Sequence, residues 1–99
     1  MKVIISNQAE VSNKHLRFIK WKIRKLNRKL GVLHYLEAHI NKEGSRNPLY
    51  KSVLKLGVSG HDIIIKNHSS NLKELWKETF MDVKRQLVKF KKKNQVFAN

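Results

Sequence analysis

The 99-residue chain contains no cysteine, so disulfides, thiolate metal sites and cysteine nucleophiles are all excluded. It has one proline, Pro48, and four glycines, with no Gly-rich loop able to cradle a phosphate and no linker or internal repeat. Only seven residues are acidic, and they are scattered, which argues against a carboxylate cluster for metal-dependent hydrolysis. None of the five histidines (His15, His34, His39, His61 and His68) forms a helical i, i+4 pair beside an acid, so no zinc site is expected. No nucleophile motif is present, and neither catalysis, a cofactor nor a small-molecule substrate is expected. MKVIISNQ lacks the apolar run of a signal peptide, and no segment approaches a membrane span. The expectation is a soluble cytoplasmic protein, monomeric when free.

What the chain does have is positive charge. Twenty-two Lys and Arg against seven Asp and Glu give a formal +15. Self-repulsion of that size destabilises a compact state until a polyanion relieves it, so nucleic acid or an anionic surface is the implied partner class. With 40% hydrophobic residues the chain can still bury a core, and its length suits one small domain, 1–99, with an ordered core over about 2–93 and a short tail at 94–99.

The charge is organised on helices. In residues 71–94, NLKELWKETFMDVKRQLVKFKKKN, the residues Leu72, Leu75, Trp76, Thr79, Phe80, Val83, Leu87 and Phe90 recur at spacings of three and four and form one apolar stripe. Asn71 and Glu74 have the spacing of a capping box. The opposite side carries Lys73, Lys77, Lys84, Arg85, Lys89, Lys91, Lys92 and Lys93. Residues 13–30 form a second such helix, capped by Ser12 and stopped by Gly31, with Phe18, Ile19, Ile23, Leu26 and Leu30 on one face and Leu16 at its margin. This helix holds Lys14, Arg17, Lys20, Lys22, Arg24, Lys25, Arg28 and Lys29 and no acid. Sixteen of the 22 basic residues therefore sit on two helices.

Strand-like segments surround them: residues 2–6, 33–41, 50–58 and 63–67. Alternation places Leu36, Ala38 and Ile40 on one face of the second, and Ser52, Leu54, Leu56 and Val58 inward on the third. The order β-α-β-β-β-α predicts a two-layer α+β domain. Its last three strands form an antiparallel meander, its first joins through a helical crossover, and both helices lie on one face.

This arrangement resembles the ribosome hibernation-promoting factors, the short relatives of the ribosome-associated inhibitor, over roughly residues 2–93. Val83-Lys84-Arg85-Gln86-Leu87-Val88-Lys89-Phe90-Lys91 matches the family's L-x-R-Q-L-x-K-x-K at the close of the last helix. Val11-Ser12 stands where the family opens its first helix with Val-Thr, and Lys22-Ile23-Arg24-Lys25-Leu26 stands at its K-L-E-R-L. The resemblance implies a protein lying in the mRNA and tRNA channel of the small ribosomal subunit, blocking translation by idle ribosomes. It implies rRNA contacts at Lys22, Arg85, Lys89 and Lys91. The chain departs from the family at Asn71 and Lys77, where acids are usual, and at Asp82, where a lysine is usual. It would be a short form, lacking the dimerisation domain of the long members, and would not pair ribosomes by that domain.

The residues alone add candidates. Arg24, Arg28 and Arg85 suit bidentate phosphate contacts, while Lys25, Lys77, Lys84 and Lys92 act as point charges on the same basic faces. Recognition would follow shape, phosphates and 2′-hydroxyls, because side chains cannot read the deep major groove of A-form RNA. Trp21 lies off the apolar face amid Lys14, Lys25 and Arg28, placed to stack on an unpaired base, to pack on the edge of the other helix, or to cover lysine stems. Met81 and Val88 also point outward; Trp76 reads as core and His15 as a core-edge residue. The order of elements is also similar to the double-stranded RNA-binding domain, the alternative reading. A membrane-surface role is disfavoured because the core uses the helices' apolar faces.

Overall fold

The computed structural model describes residues 1–98, with side chains through residue 93. The elements are β1 (Lys2–Asn7), α1 (Asn13–Leu30), β2 (Tyr35–Glu43), β3 (Leu49–Val58), β4 (His61–Ser69) and α2 (Leu72–Ala98). The sheet order is β1-β2-β3-β4. β1 runs parallel to β2, as the helical crossover requires, and β2, β3 and β4 form the antiparallel meander. The fold is the expected two-layer α+β domain.

Period-two patterning sets which side of the sheet is covered. Leu36, Ala38 and Ile40 on β2, Ser52, Leu54, Leu56 and Val58 on β3, and Ile65 on β4 are buried under the helices. From above, Ile23 and Leu26 of α1 and Val83 and Leu87 of α2 close the main core. A smaller cluster of Ala9, Val11 and Ile40 receives Leu16, Leu72 and Trp76. Ser52 and Thr79, buried polar residues from sheet and helix, meet hydroxyl to hydroxyl at 3.2 Å, which satisfies both. Asn67 Nδ2 and Trp76 Nε1 are buried without an acceptor.

Two asparagines pin the loops that deliver α1. Asn7 Nδ2 donates to the Val11 carbonyl at 2.7 Å while its Oδ1 accepts from Val11 N at 3.1 Å. Asn27 treats Leu33 in the same way, at 3.0 and 2.9 Å. Each side-chain amide thus stands in for a peptide unit and sets an apolar residue into the core. Ser12 Oγ accepts from His15 N, and Gly31 closes the helix at φ 64°, a left-handed turn suited to glycine.

Four local expectations are corrected. β1, β3 and β4 run longer than the apolar patterning suggested, β4 extending from His61 to Ser69, and β2 keeps its length but lies two residues later, at Tyr35–Glu43 in place of 33–41, because ladder hydrogen bonds continue into polar residues. The reciprocal half of the α2 capping box is not made. Asn71 Oδ1 accepts from Lys73 N and Glu74 N, but Asn71 N donates to Ser69 Oγ at 3.1 Å in place of the Glu74 carboxylate. The helix continues to Ala98, past the expected end at Asn94, so the expected tail is helical through Ala98 and Asn99 lies outside the described residues. Phe18 is 55% exposed, not core. It lies one step, about 100° round the helix, from Ile19, and that rotation carries its ring off the sheet toward the α2 side.

On the open face of the sheet the Tyr35 ring lies across Gly57, its register partner, and a Cβ on Gly57 would run into the ring. The phenol donates to Asp62 Oδ1 at 2.5 Å. That hydrogen bond to a carboxylate favours the neutral phenol and raises the Tyr35 pKa above 10.0. Stability from the pair is complete below pH 10.0, the unfolded value, and is lost as pH rises through the higher folded value. Gly57→Ala should displace the ring, lower the melting temperature at neutral pH, and bring Tyr35 ionisation back toward 10.0, read by ultraviolet titration in a Tyr50→Phe background. Leu87→Ala, which opens the core at a fully buried site, should cost about 2–5 kcal/mol in chemical denaturation.

Candidate nucleic-acid interface

Because the apolar stripes of α1 and α2 turn toward the sheet, their cations turn away from it. Sixteen basic residues against Glu74, Glu78 and Asp82 give the helix layer +13. The opposite, open sheet face holds Lys2, Lys51, Lys55 and Lys66 against Glu37, Glu43 and Asp62, a net +1. Several of these charges pair: Lys51 with Glu43 at 2.9 Å and Lys55 with Asp62 at 3.6 Å. One side of the molecule is an anion-attracting surface and the other is nearly neutral.

The sequence-derived site residues fall into four groups on the helix layer, with Lys91 apart from them. Lys22 and Lys77 face each other across the groove between α1 and α2. Lys25 and Trp21 lie outward on α1, the Lys25 ammonium 5.0 Å from the indole centroid and Trp21 49% exposed. Arg24 and Arg28 line a shallow cleft with Asn27 and Met1, on the β1 side of α1. Along α2, Lys84, Arg85, Lys89 and Lys92 are exposed. Arg85 is 70% exposed and holds Asp82 at 2.9 Å, one helical turn away. Lys91 differs from the rest. Its Nζ donates to the Lys29 carbonyl at 3.2 Å, so it also caps the C-terminal end of α1 and ties the helices together.

A groove of about 790 Å³ lies between the N-terminal halves of the helices. Ile19, Ile23 and Val83 lie at its floor; Phe18, Phe80 and Met81 form walls, and Lys22, Lys73 and Lys77 stand at its rim with Glu74. Lys22 Nζ lies 4.5 Å from the Phe80 ring centroid and 5.7 Å from that of Phe18, bridging the mouth. Phe18 in turn stacks on Trp21, centroids 6.2 Å apart and planes 29° apart. Met81 is 61% exposed. Reading the sequence missed this groove, because a helical wheel orders residues around one helix and says nothing of the gap to its neighbour. The available signal was the pair Phe18 and Trp21 at i, i+3, which share a helix face. Trp76 lines the inner end, half-buried, with the His15 ring 6.2 Å away, as its place in the stripe implied.

Among the described residues, no group of three or more His, Asp or Glu lies close enough to hold a metal ion, and no helix is long and apolar enough to cross a membrane.

Neither a protein-family model nor a curated protein matches the sequence. Solved structures do match. A ribosomal subunit interface protein from Coxiella burnetii superposes with a TM-score of 0.76 at 12% identity, covering 92% of this chain and 98% of that one. The N-terminal domain of Thermus thermophilus Protein Y gives a TM-score of 0.66 at 13% identity, covering 91% and 99%. Both are of the hibernation-promoting and sigma-54 modulation family, and the resemblance read from the helix motifs is met at the level of the fold. Identities this low carry the architecture and leave the surface chemistry to this chain's own residues.

The crowded cations make a prediction independent of any partner. Raising ionic strength from about 0.01 M to about 0.15 M shortens the screening length from about 30 Å to about 8 Å. The melting temperature should rise, by about 4–8 °C for each kcal/mol of repulsion relieved, in a calorimetric salt series. A flat series would mean that the cations do not repel appreciably.

Proposed function

We propose that this chain is a ribosome-associated translation inhibitor of the hibernation type, binding rRNA in the mRNA and tRNA channel of the small subunit through the basic surface of α1 and α2. The observation that carries the reading is the charge asymmetry, +13 on the helix layer against +1 on the open sheet face. A protein needing charge only for solubility would gain nothing from placing it on one side. The fold shared with proteins named for the ribosomal subunit interface and as Protein Y supports the choice of ribosome over other polyanions. Lys22, Arg24, Lys25, Arg28, Lys77, Lys84, Arg85, Lys89, Lys91 and Lys92 neutralise phosphates, and Trp21 supplies an exposed ring for stacking. The mechanism is occupancy: a folded domain in the channel excludes mRNA and tRNA without breaking a bond. The site of action is cytoplasmic, with no cofactor.

Co-sedimentation with purified small subunits, beside an equal mass of duplex RNA, tests the reading. Stoichiometric binding to the subunit should survive salt that strips the protein from duplex. Equal, salt-labile binding to both would make it a general double-stranded RNA binder. Arg85→Glu with Lys89→Glu should weaken subunit binding at least tenfold and flatten its salt dependence, since each lost phosphate contact removes about 0.7–0.9 from the logarithmic slope. Both residues are exposed, so the variant should keep the helix content of the natural protein by circular dichroism.

A further inference from the structure

We propose that the groove between the N-terminal halves of α1 and α2 is a slot for one unstacked nucleobase, with the lysines at its rim holding the phosphates on either side. The inference rests on the RNA-binding reading and adds to it a specific subsite. Phosphate contacts need only exposed cations, and this surface has those in excess. An apolar groove of about 790 Å³, within the range of about 300–1,000 Å³ for small-ligand sites, has no part in such contacts. In a protein this basic, a groove open to solvent between two cationic helices calls for an occupant that is apolar and flat yet attached to negative charge. A base within its strand fits that description.

The rings are available for it. The Lys22 ammonium makes cation–π contacts with both the Phe18 and Phe80 rings, while Phe18 also stacks on Trp21 and Phe80 packs partly against the core. A base entering between the helices takes the place of Lys22 over Phe80, and the freed ammonium moves to the neighbouring phosphate. The exchange gives up a modest cation–π contact and gains base stacking together with a charge-assisted hydrogen bond. Lys73 and Lys77 stand on the α2 side of the mouth for the second phosphate, and Glu74 is the one acid there. From the groove, the aromatic surface continues through Phe18 to Trp21, with Lys25 over the indole. Rings and ammonium groups thus alternate along α1 as bases and phosphates alternate along a strand. A base paired within a helix cannot enter, so the slot selects a bulged or single-stranded nucleotide.

The test compares a single-stranded oligoribonucleotide of about eight nucleotides with an abasic strand of the same length and charge, both read by fluorescence anisotropy. The base-bearing strand should bind about tenfold tighter or better. Phe18→Ala and, on the opposite wall, Met81→Ser should each abolish that preference while leaving the affinity for the abasic strand and its salt slope intact. Both positions are exposed, and circular dichroism checks the fold of each variant. Equal binding of the two strands by the natural protein, with small-subunit binding intact, overturns the slot alone. Retention of the preference in both variants does the same. Failure to bind either strand or the subunit overturns the RNA reading and the slot with it. Seating of an acidic peptide bearing one phenylalanine, with no base preference in the RNA, assigns the groove to a protein partner and overturns the proposal.

Discussion

Two helices carrying +8 and +5 lie side by side, and the seam of apolar side chains beneath them holds them there. Ile23 and Leu26 from α1 and Val83 and Leu87 from α2 meet over Leu36, Leu54, Leu56 and Ile65 of the sheet. Each such side chain contributes about 1.5–3 kcal/mol by leaving water. Two exposed charges separated by more than about 8 Å at physiological salt are largely screened, so each repulsive pair costs well under that. Burial wins, and the cost of the repulsion remains as a standing affinity for anions. The Lys91 contact with the Lys29 carbonyl adds a polar tie at the far end of the seam.

The same seam explains why the molecule has two unlike sides. Side chains alternate along every strand, so covering one face with both helices leaves the other bare. That bare face is built from neutralised pairs and a tyrosine lying over a glycine, with Ile4 and Ile64 exposed singly among them. The helix layer has no such pairing, apart from Arg85 with Asp82 among the described residues. The gap between the N-terminal halves of the helices is the groove, lined with rings because Phe18 and Phe80 occupy the shoulders of their stripes.

Much of this was legible from residue order. The period-two runs in 33–41 and 50–58 named the buried sheet residues correctly, because a one-residue slip would expose them all. Ser12 and Gly31 bounded α1 as their cap chemistry dictates. The stripe of α2 held from Leu75 to Leu87 because nothing in it competes with a 3.6-residue period. Other features were not legible. The asparagine clamps at Asn7 and Asn27 depend on where the chain returns after each loop, and polar residues in loops look alike until that geometry exists. The same holds for Asn71 N choosing Ser69, and for Tyr35 finding both Gly57 and Asp62 on neighbouring strands.

The sequence by itself determined the element order, the buried faces and the concentration of cations on two helices, since each follows from periodicity and composition along a continuous stretch. Only the tertiary structure decided that the helices lie close enough to share a groove, that Phe18 stands at its wall instead of in the core, and that Lys22 spans to Phe80. Those facts depend on the distance and rotation between two helices separated by three strands. Packing against a common sheet sets both quantities, and no local pattern encodes them.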